Sequence, residues 1–225
     1  MKKKHTFGIG VVTLLLSGCV TADQAMQNQV SSIPEEQRAY IVGTYRVECV
    51  VRGAKCHPAF NSISAFYRNK ENKDIFGKLS VSEGGFGGNT VFDFVNIDKK
   101  EKGIYFCQSV PAGDYSLYSY SYWNYDGGGN GYNLREENFF NIPFRATAGE
   151  IVYVGDIRLT YSTGKSMLGL KTIGPGVVEL SSGNSSDAQT AVAKCAESVR
   201  QLPLKVDALR APAGGHELVV IKPAN

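Results

Sequence analysis

Histidine is scarce in this chain, with three in 225 residues. One of them, His5, lies in a segment expected to be removed, so His57 and His216 are the only candidates for a histidine base. A second thing missing is an apolar run of about twenty residues, without which no segment reads as a membrane-spanning helix. The third is an excess of charge of one sign. The formal net charge is +3, but Lys2, Lys3 and Lys4 also lie in the segment expected to be removed. Without them basic and acidic residues balance at 21 each. A neutral chain has no electrostatic footprint for nucleic acid, and no nucleic-acid partner is expected. What remains is ordinary globular composition: 43% apolar and 20% charged, with 25 Gly, 12 Tyr and 11 Phe.

Lys2–Lys4 are followed by an apolar run of ten residues, Phe7 to Leu16. That is too short to span a bilayer and fits the core of a secretory signal. Leu16-Ser17-Gly18-Cys19 then resembles the lipobox of bacterial lipoproteins, with a leucine, two small residues and the cysteine. The resemblance implies cleavage before Cys19, diacylglycerylation of its sulfur and acylation of the new amine. Several acyl chains, at about 0.8 kcal/mol per buried CH₂, would anchor a soluble domain firmly. Val20, where the enterobacterial sorting rule reads Asp as retention in the inner membrane, implies an outer-membrane lipoprotein facing the periplasm. An ordinary signal peptide followed by a coincidental cysteine is the alternative. The expected organisation is a signal peptide over 1–18 and a lipidated cysteine with a polar tether over 19–37. A short helix or a strand-edge arm would be the other readings of the tether.

From Ala39 the apolar residues fall in short β-branched and aromatic runs cut by Gly, Asn and Pro. They are Tyr40–Val51, Ile63–Tyr67, Ile75–Val81, Val91–Ile97, Ile104–Val110, Tyr115–Tyr125, Phe139–Ala146, Ile151–Tyr161 and Val177–Leu180. This pattern predicts a mainly β fold, a two-layer antiparallel β-sandwich over 38–182 with a barrel as the rival. Strand period is two, so the odd-numbered apolar residues from Ile151 to Leu159 are expected on one core face. Asp187–Gln201 is Ala-rich, with Ala191, Cys195, Ser198 and Leu202 on one stripe. It predicts one C-terminal α-helix of four turns packed on the sandwich, capped by Ser185, Ser186 or Asp187 and stopped by Pro203. A last strand is expected over Glu217–Ile221, within a terminal region 183–225.

Val110-Pro111-Ala112-Gly113-Asp114-Tyr115, followed later by Ala148-Gly149-Glu150-Ile151-Val152-Tyr153-Val154-Gly155, is similar to a pattern in prealbumin-like β-sandwich lipoproteins. Many of those are domains of unknown function. The matching residues are turn chemistry, so the resemblance implies the fold and no activity.

Beyond Cys19, four cysteines remain: Cys49, Cys56, Cys107 and Cys195. An even number in an exported chain favours disulfides, and four allow three pairings. A hairpin turning at Arg52-Gly53 would set Cys49 opposite Cys56, leaving Cys107 for Cys195. Zinc is the rival, but Cys-x₆-Cys beside His57 lacks finger spacing.

Catalytic chemistry is thin. Cys56 and His57 are adjacent, so on a strand they face opposite sides and form no nucleophile pair. Gly164-Lys165-Ser166 echoes the end of a phosphate loop, but Leu159 stands where the first glycine belongs. Gly84–Gly88 lacks a dinucleotide fingerprint. Asp126, Asn130, Gly131 and Glu137 fill positions one, five, six and twelve of an EF-hand-like loop, yet Gly128 leaves the third without an oxygen. A plain glycine-rich hairpin loop is the simpler reading. Tyr118, Tyr120 and Tyr122 share one parity opposite Tyr115, Leu117 and Trp123, so they are expected as an exposed aromatic row for a partner or a sugar. The alternative is that the helix or a loop covers that face. No cofactor, metal ligand or catalytic residue is assigned. The expected function is a binding or assembly module of the cell envelope, attached to the membrane by its acyl chains. A peptidoglycan- or glycan-binding module and an envelope hydrolase using His57 or an acidic pair are the alternatives.

Overall fold

Branched and aromatic side chains at alternating positions favour extended backbone, because their bulk packs well on a pleated surface. The computed structural model, which describes residues 22–84, 88–124 and 130–223, is accordingly mainly β. Its strands are β1 (Arg38–Arg52), β2 (Lys55–Pro58), β3 (Ser62–Asn69), β4 (Phe76–Ser82), β5 (Phe94–Asn96), β6 (Glu101–Pro111) and β7 (Gly113–Asn124). They continue with β8 (Asn130–Asn133), β9 (Ile142–Ala146), β10 (Ile151–Lys165), β11 (Lys171–Ser181), β12 (Leu204–Val206) and β13 (Val219–Ile221). Cys19 lies outside the described residues.

The strands form two sheets. The first runs β13-β11-β10-β1-β6-β5, with β12 beside the start of β10 and β2 beside the end of β1. The second runs β4-β3-β7-β8, with β9 beside the start of β7. The first sheet corrects the expectation of antiparallel strands throughout: β1 runs parallel to β10, β10 to β12 and β11 to β13. Residues of both sheets, among them Ile41, Tyr45, Ile157, Ile63, Tyr67 and Leu117, share one buried cluster. Tyrosine hydroxyls stitch the sheets across it. Tyr45 donates to the Ile63 carbonyl at 3.2 Å and Tyr67 to Gln108 Oε1 at 2.8 Å. Tyr120 donates to the Gly176 carbonyl at 3.2 Å and Tyr122 to the Thr160 carbonyl at 2.9 Å.

Two bulges reverse the side-chain parity that the sequence suggests. In β10 the pairing with β1 jumps from Val42↔Tyr153 to Thr44↔Asp156. One extra residue is absorbed there, and a shift of one flips every side chain beyond it. Gly155 sits at the jump with φ +88, and a Cβ on it would lie 2.5 Å from the Ser181 carbonyl oxygen. Before the bulge Val152 and Val154 face the core between the sheets; after it Ile157 and Leu159 do. Ile151 and Tyr153 instead point out, into a second buried cluster with Tyr40, Val42, Ala188, Ala191, Cys195 and Val199. The expectation of one odd-numbered core face along β10 is therefore wrong in its first half.

Helices differ from expectation in number and length. Residues 22–31, expected as tether, form α1 (Ala22–Ser31), whose Met26 and Val30 are buried in the main core. It contacts β4 and β6, an edge strand of one sheet and an inner strand of the other. The C-terminal helix is α2 (Ser185–Val192), half the expected length. Its cap is Asn184, whose side chain accepts from the Asp187 N–H at 2.8 Å. It stops because Lys194 and Cys195 donate to Ala191 and Val192 in three-residue turns. At that point Cys195 reaches β6 through Cys107. A 3₁₀ turn follows at Val199–Gln201. The run Val91–Ile97 is strand only at Phe94–Asn96, and Val91 is exposed.

Candidate functional site

Parity decides where the three tyrosines of β7 go. The pairing with β3 passes from Phe66↔Ser119 to Tyr67↔Leu117, leaving Tyr118 as the bulged residue. Tyr115 and Leu117 face the core before the bulge, and Tyr120 and Tyr122 face it after, at 2% and 0% exposure. The exposed row of Tyr118, Tyr120 and Tyr122 is thus corrected: two of its members are core residues whose hydroxyls bind the opposite sheet. Burial raises the Tyr120 hydroxyl to about 12 and the Tyr122 hydroxyl well above its ordinary value. Neither is available to a ligand.

Tyr118 alone stays on the outside. The Arg68 guanidinium lies over its ring at 4.4 Å, and Phe139 meets it edge-on at 5.0 Å. They line a pocket of about 330 Å³ on the outer face of the second sheet, together with Lys70, Lys73, Ser116 and Asn141. Strand β3 supplies Arg68 and the turn after it supplies Lys70 and Lys73. The Asn69 side chain fixes that turn by accepting from the N–H groups of Glu71 and Asn72, each at 2.9 Å. None of the lining residues is acidic. Ser116 donates to Asn141 Oδ1 at 2.7 Å, which leaves the Asn141 amide free to donate. Sequence reasoning reached Tyr118 but missed Arg68, Lys70, Lys73 and Phe139, since pairing of β3 with β7 brings the first three to it and the Phe140 N–H bond to the Tyr118 carbonyl brings Phe139.

The outer face of the first sheet carries a row of alternating charges that no motif announced. Arg46 Nη1 reaches Glu101 at 3.2 Å and its Nη2 reaches Asp156 at 3.2 Å and Asp187 of α2 at 3.7 Å. Arg158 lies 3.6 Å from the other Glu101 oxygen and 3.2 Å from Glu179, which Lys222 approaches at 3.4 Å. Arg46 also covers the Phe94 ring at 4.7 Å. That ring crosses β6 only because Gly103 has no side chain: a Cβ there would lie 2.5 Å from Phe94 Cζ. Burial raises the Asp156 pKa, and Arg46 opposes it. Among the described residues no partner meets hydrogen-bond geometry for Asp156 Oδ1, Thr44 Oγ1 or the Tyr153 hydroxyl. A pocket of about 260 Å³ opens beside the row, but its charges are spent on one another. The row holds α2 to the sheet; breaking one member leaves a poorly solvated charge and is strongly destabilising.

The cysteines meet as two pairs at disulfide distance, with Cα separations of 5.4 Å for Cys49–Cys56 and 5.3 Å for Cys107–Cys195. The first closes the β1–β2 hairpin, which turns at Gly53-Ala54 rather than Arg52-Gly53, so Cys56 lies opposite Val51 and reaches Cys49 diagonally. The second pins the chain after α2 to β6. His57 Nδ1 lies 2.8 Å from Glu83 Oε1, and Lys102 bonds the other oxygen. Burial would raise Glu83, but these two bonds outweigh it and hold its pKa below the ordinary value. His216 Nδ1 accepts from the Leu218 N–H at 3.2 Å, a local turn contact. Gly164-Lys165-Ser166 ends β10 with no helix behind it. Of the EF-hand-like loop, Asp126 and Gly128 lie outside the described residues. Asn130 and Gly131 belong to β8, and the exposed Glu137 pairs with Arg135 at 3.8 Å. Gly85 to Gly87 also lie outside the described residues. Among the described residues no three His, Cys, Asp or Glu side chains converge in metal-binding geometry.

No family model and no curated protein matches the chain. Among solved structures, a leucine-rich repeat protein from Bacteroides thetaiotaomicron is similar at TM-score 0.32 and 11% identity, over 57% of this chain and 14% of that one. This chain thus spans a small part of that protein's length, and a likeness at this level carries no argument about fold or function.

Proposed function

We propose that the protein is an outer-membrane lipoprotein facing the periplasm, whose two stacked sheets form a β-sandwich that acts as a binding module of the cell envelope. The anchor is supported by Leu16-Ser17-Gly18-Cys19 and by cysteine bookkeeping. Pairing of Cys49 with Cys56 and of Cys107 with Cys195 accounts for four of the five cysteines, and Cys19 is the odd one in the count.

The observation that carries the binding reading is the pocket of Tyr118 and Phe139 under Arg68, Lys70 and Lys73. An aromatic floor suits the apolar face of a sugar ring, and three cations with no acid among the lining residues suit a carboxylate on it. The ligand class is therefore an acidic glycan such as a peptidoglycan fragment. Tyr118→Ala and Arg68→Ala should each weaken capture of such fragments by roughly 30-fold, the loss of one hot-spot side chain. The melting temperature should stay within a few degrees. Unchanged capture in both variants overturns the pocket. Mass spectrometry of the fragment after incubation separates a binder from the hydrolase alternative, which predicts cleavage. The anchor has its own test: Cys19→Ser should release the protein from the outer membrane at high salt.

A further inference from the structure

Strands β10 and β11 continue well past the sheet that holds them. Pairing of β1 with β10 ends at Val47↔Leu159, and β13 pairs with β11 no further out than Val178. Beyond these points Ser162↔Gly174, Thr163↔Ile173, Gly164↔Thr172 and Lys165↔Lys171 pair with one another and, among the described residues, with no third strand. The result is a two-stranded arm about 14 Å long. It is the continuation of two anchored strands, and its outer part has two strands where independent stability needs three or more.

Its tip is apolar and closed by a hydrogen-bonded turn. Met167, Leu168 and Leu170 are 105%, 85% and 65% exposed and lie together at the end of the arm, and a contiguous exposed apolar patch marks an interaction site. Ser166 organises the turn. Its N–H donates to the Leu170 carbonyl at 2.8 Å, its carbonyl accepts from Gly169 at 2.9 Å and its hydroxyl accepts from the Leu170 N–H at 3.2 Å. The backbone donors of Ser166, Gly169 and Leu170 are thereby satisfied inside the turn, which lowers the cost of taking it out of water. Gly169, at φ +75, supplies the left-handed residue the turn needs.

Charge identifies the occupant. Lys165 and Lys171 face each other at the base of the tip. Like charges directly opposite are unfavourable in a sheet, and no acidic residue occurs between Asp156 and Glu179 to relieve them. The tip presents three exposed apolar side chains at the end of a two-stranded arm. Apolar side chains ahead of paired lysines are the arrangement that lies at a lipid interface, the chains below the headgroups and the ammoniums among the phosphates.

We propose that the β10–β11 tip inserts Met167, Leu168 and Leu170 into an anionic phospholipid surface, with Lys165 and Lys171 on the phosphates. This rests on the hairpin and not on acylation of Cys19; where both hold, the protein touches the bilayer at two points.

The test places an indole at the tip by Leu168→Trp in the full chain, read against the parent with its native Trp123. The probe is vesicles of phosphatidylcholine, with or without phosphatidylglycerol, carrying brominated acyl chains. In the anionic vesicles the added indole is expected to shift to the blue and to be quenched by bromine. Lys165→Gln with Lys171→Gln should lower that partitioning roughly 30-fold, at about tenfold per 1.4 kcal/mol and about 1 kcal/mol for each lysine. Vesicle flotation is scored separately. A protein that floats while its tip indole stays in water keeps the acyl anchor and overturns the insertion. An indole shielded only when an envelope protein is added, without lipid, makes the tip a protein contact and overturns it as well.

Discussion

Tyr118 and Tyr122 sit on one strand and share a chemistry, yet one lies open beneath a guanidinium and the other is sealed between two sheets. Different quantities should therefore move when each is cut back. Tyr122→Ala removes a fully buried ring and should cost about 3–5 kcal/mol of folding stability. Its effect on ligand capture per folded molecule should be nil. Tyr122→Phe keeps the ring and loses only the bond to the Thr160 carbonyl, about 1 kcal/mol. Urea midpoints, with capture assays scaled to the folded fraction, check both. Nothing in the residue type distinguishes these tyrosines; the bulge at Tyr118 does, and it is written in the pairing of β3 with β7 rather than in β7 itself.

Single elements were legible to different degrees, for physical reasons. Most strand runs announced themselves through branched and aromatic residues, and the β1–β2 hairpin through Gly53 between two cysteines. The short strands β8 and β12 did not, because three or four residues are too few to show a period of two and each is held by a neighbour. Side-chain direction along β10 was lost at Gly155, where a glycine inside a strand was the available sign of a bulge. In α2 neither end was legible: the cap is Asn184, one residue before the expected Ser185, Ser186 or Asp187, and the helix stops early. The helix periodicity continues to Leu202, and only contact with β6 shows that the chain leaves the helix to reach Cys107. Double replacement by Cys107→Ser and Cys195→Ser should cost about 2–5 kcal/mol. Hydrogen exchange should quicken first in α2, while amides of β3 and β7 stay protected until the whole protein opens.

At the scale of the whole molecule, the sheets are joined by phenols, and this ties stability to alkaline pH. Burial raises Tyr115 and Tyr120 to about 12 and holds Tyr45 and Tyr122 well above the ordinary value. The unfolded chain ionises its tyrosines near 10, so below that pH the two states hold the same phenolic protons. Above it the unfolded state loses protons that the native state keeps, and stability falls as pH climbs from about 10 to about 12. The phenolate absorbance of these four tyrosines, isolated by comparison with tyrosine-to-phenylalanine variants, should appear together with loss of far-ultraviolet ellipticity; their ionisation with the fold intact would contradict it. The sheet order has a consequence of another kind. Strand β1 is central, and its parallel neighbour β10 begins only at Ile151. A polypeptide that emerges N-terminus first therefore presents Tyr40, Ile41 and Val42 long before anything can pair with one of their edges. Vectorial synthesis or translocation leaves this strand as a sticky nascent edge for most of the chain's passage, and a holdase that shields extended apolar segments is the natural escort for it.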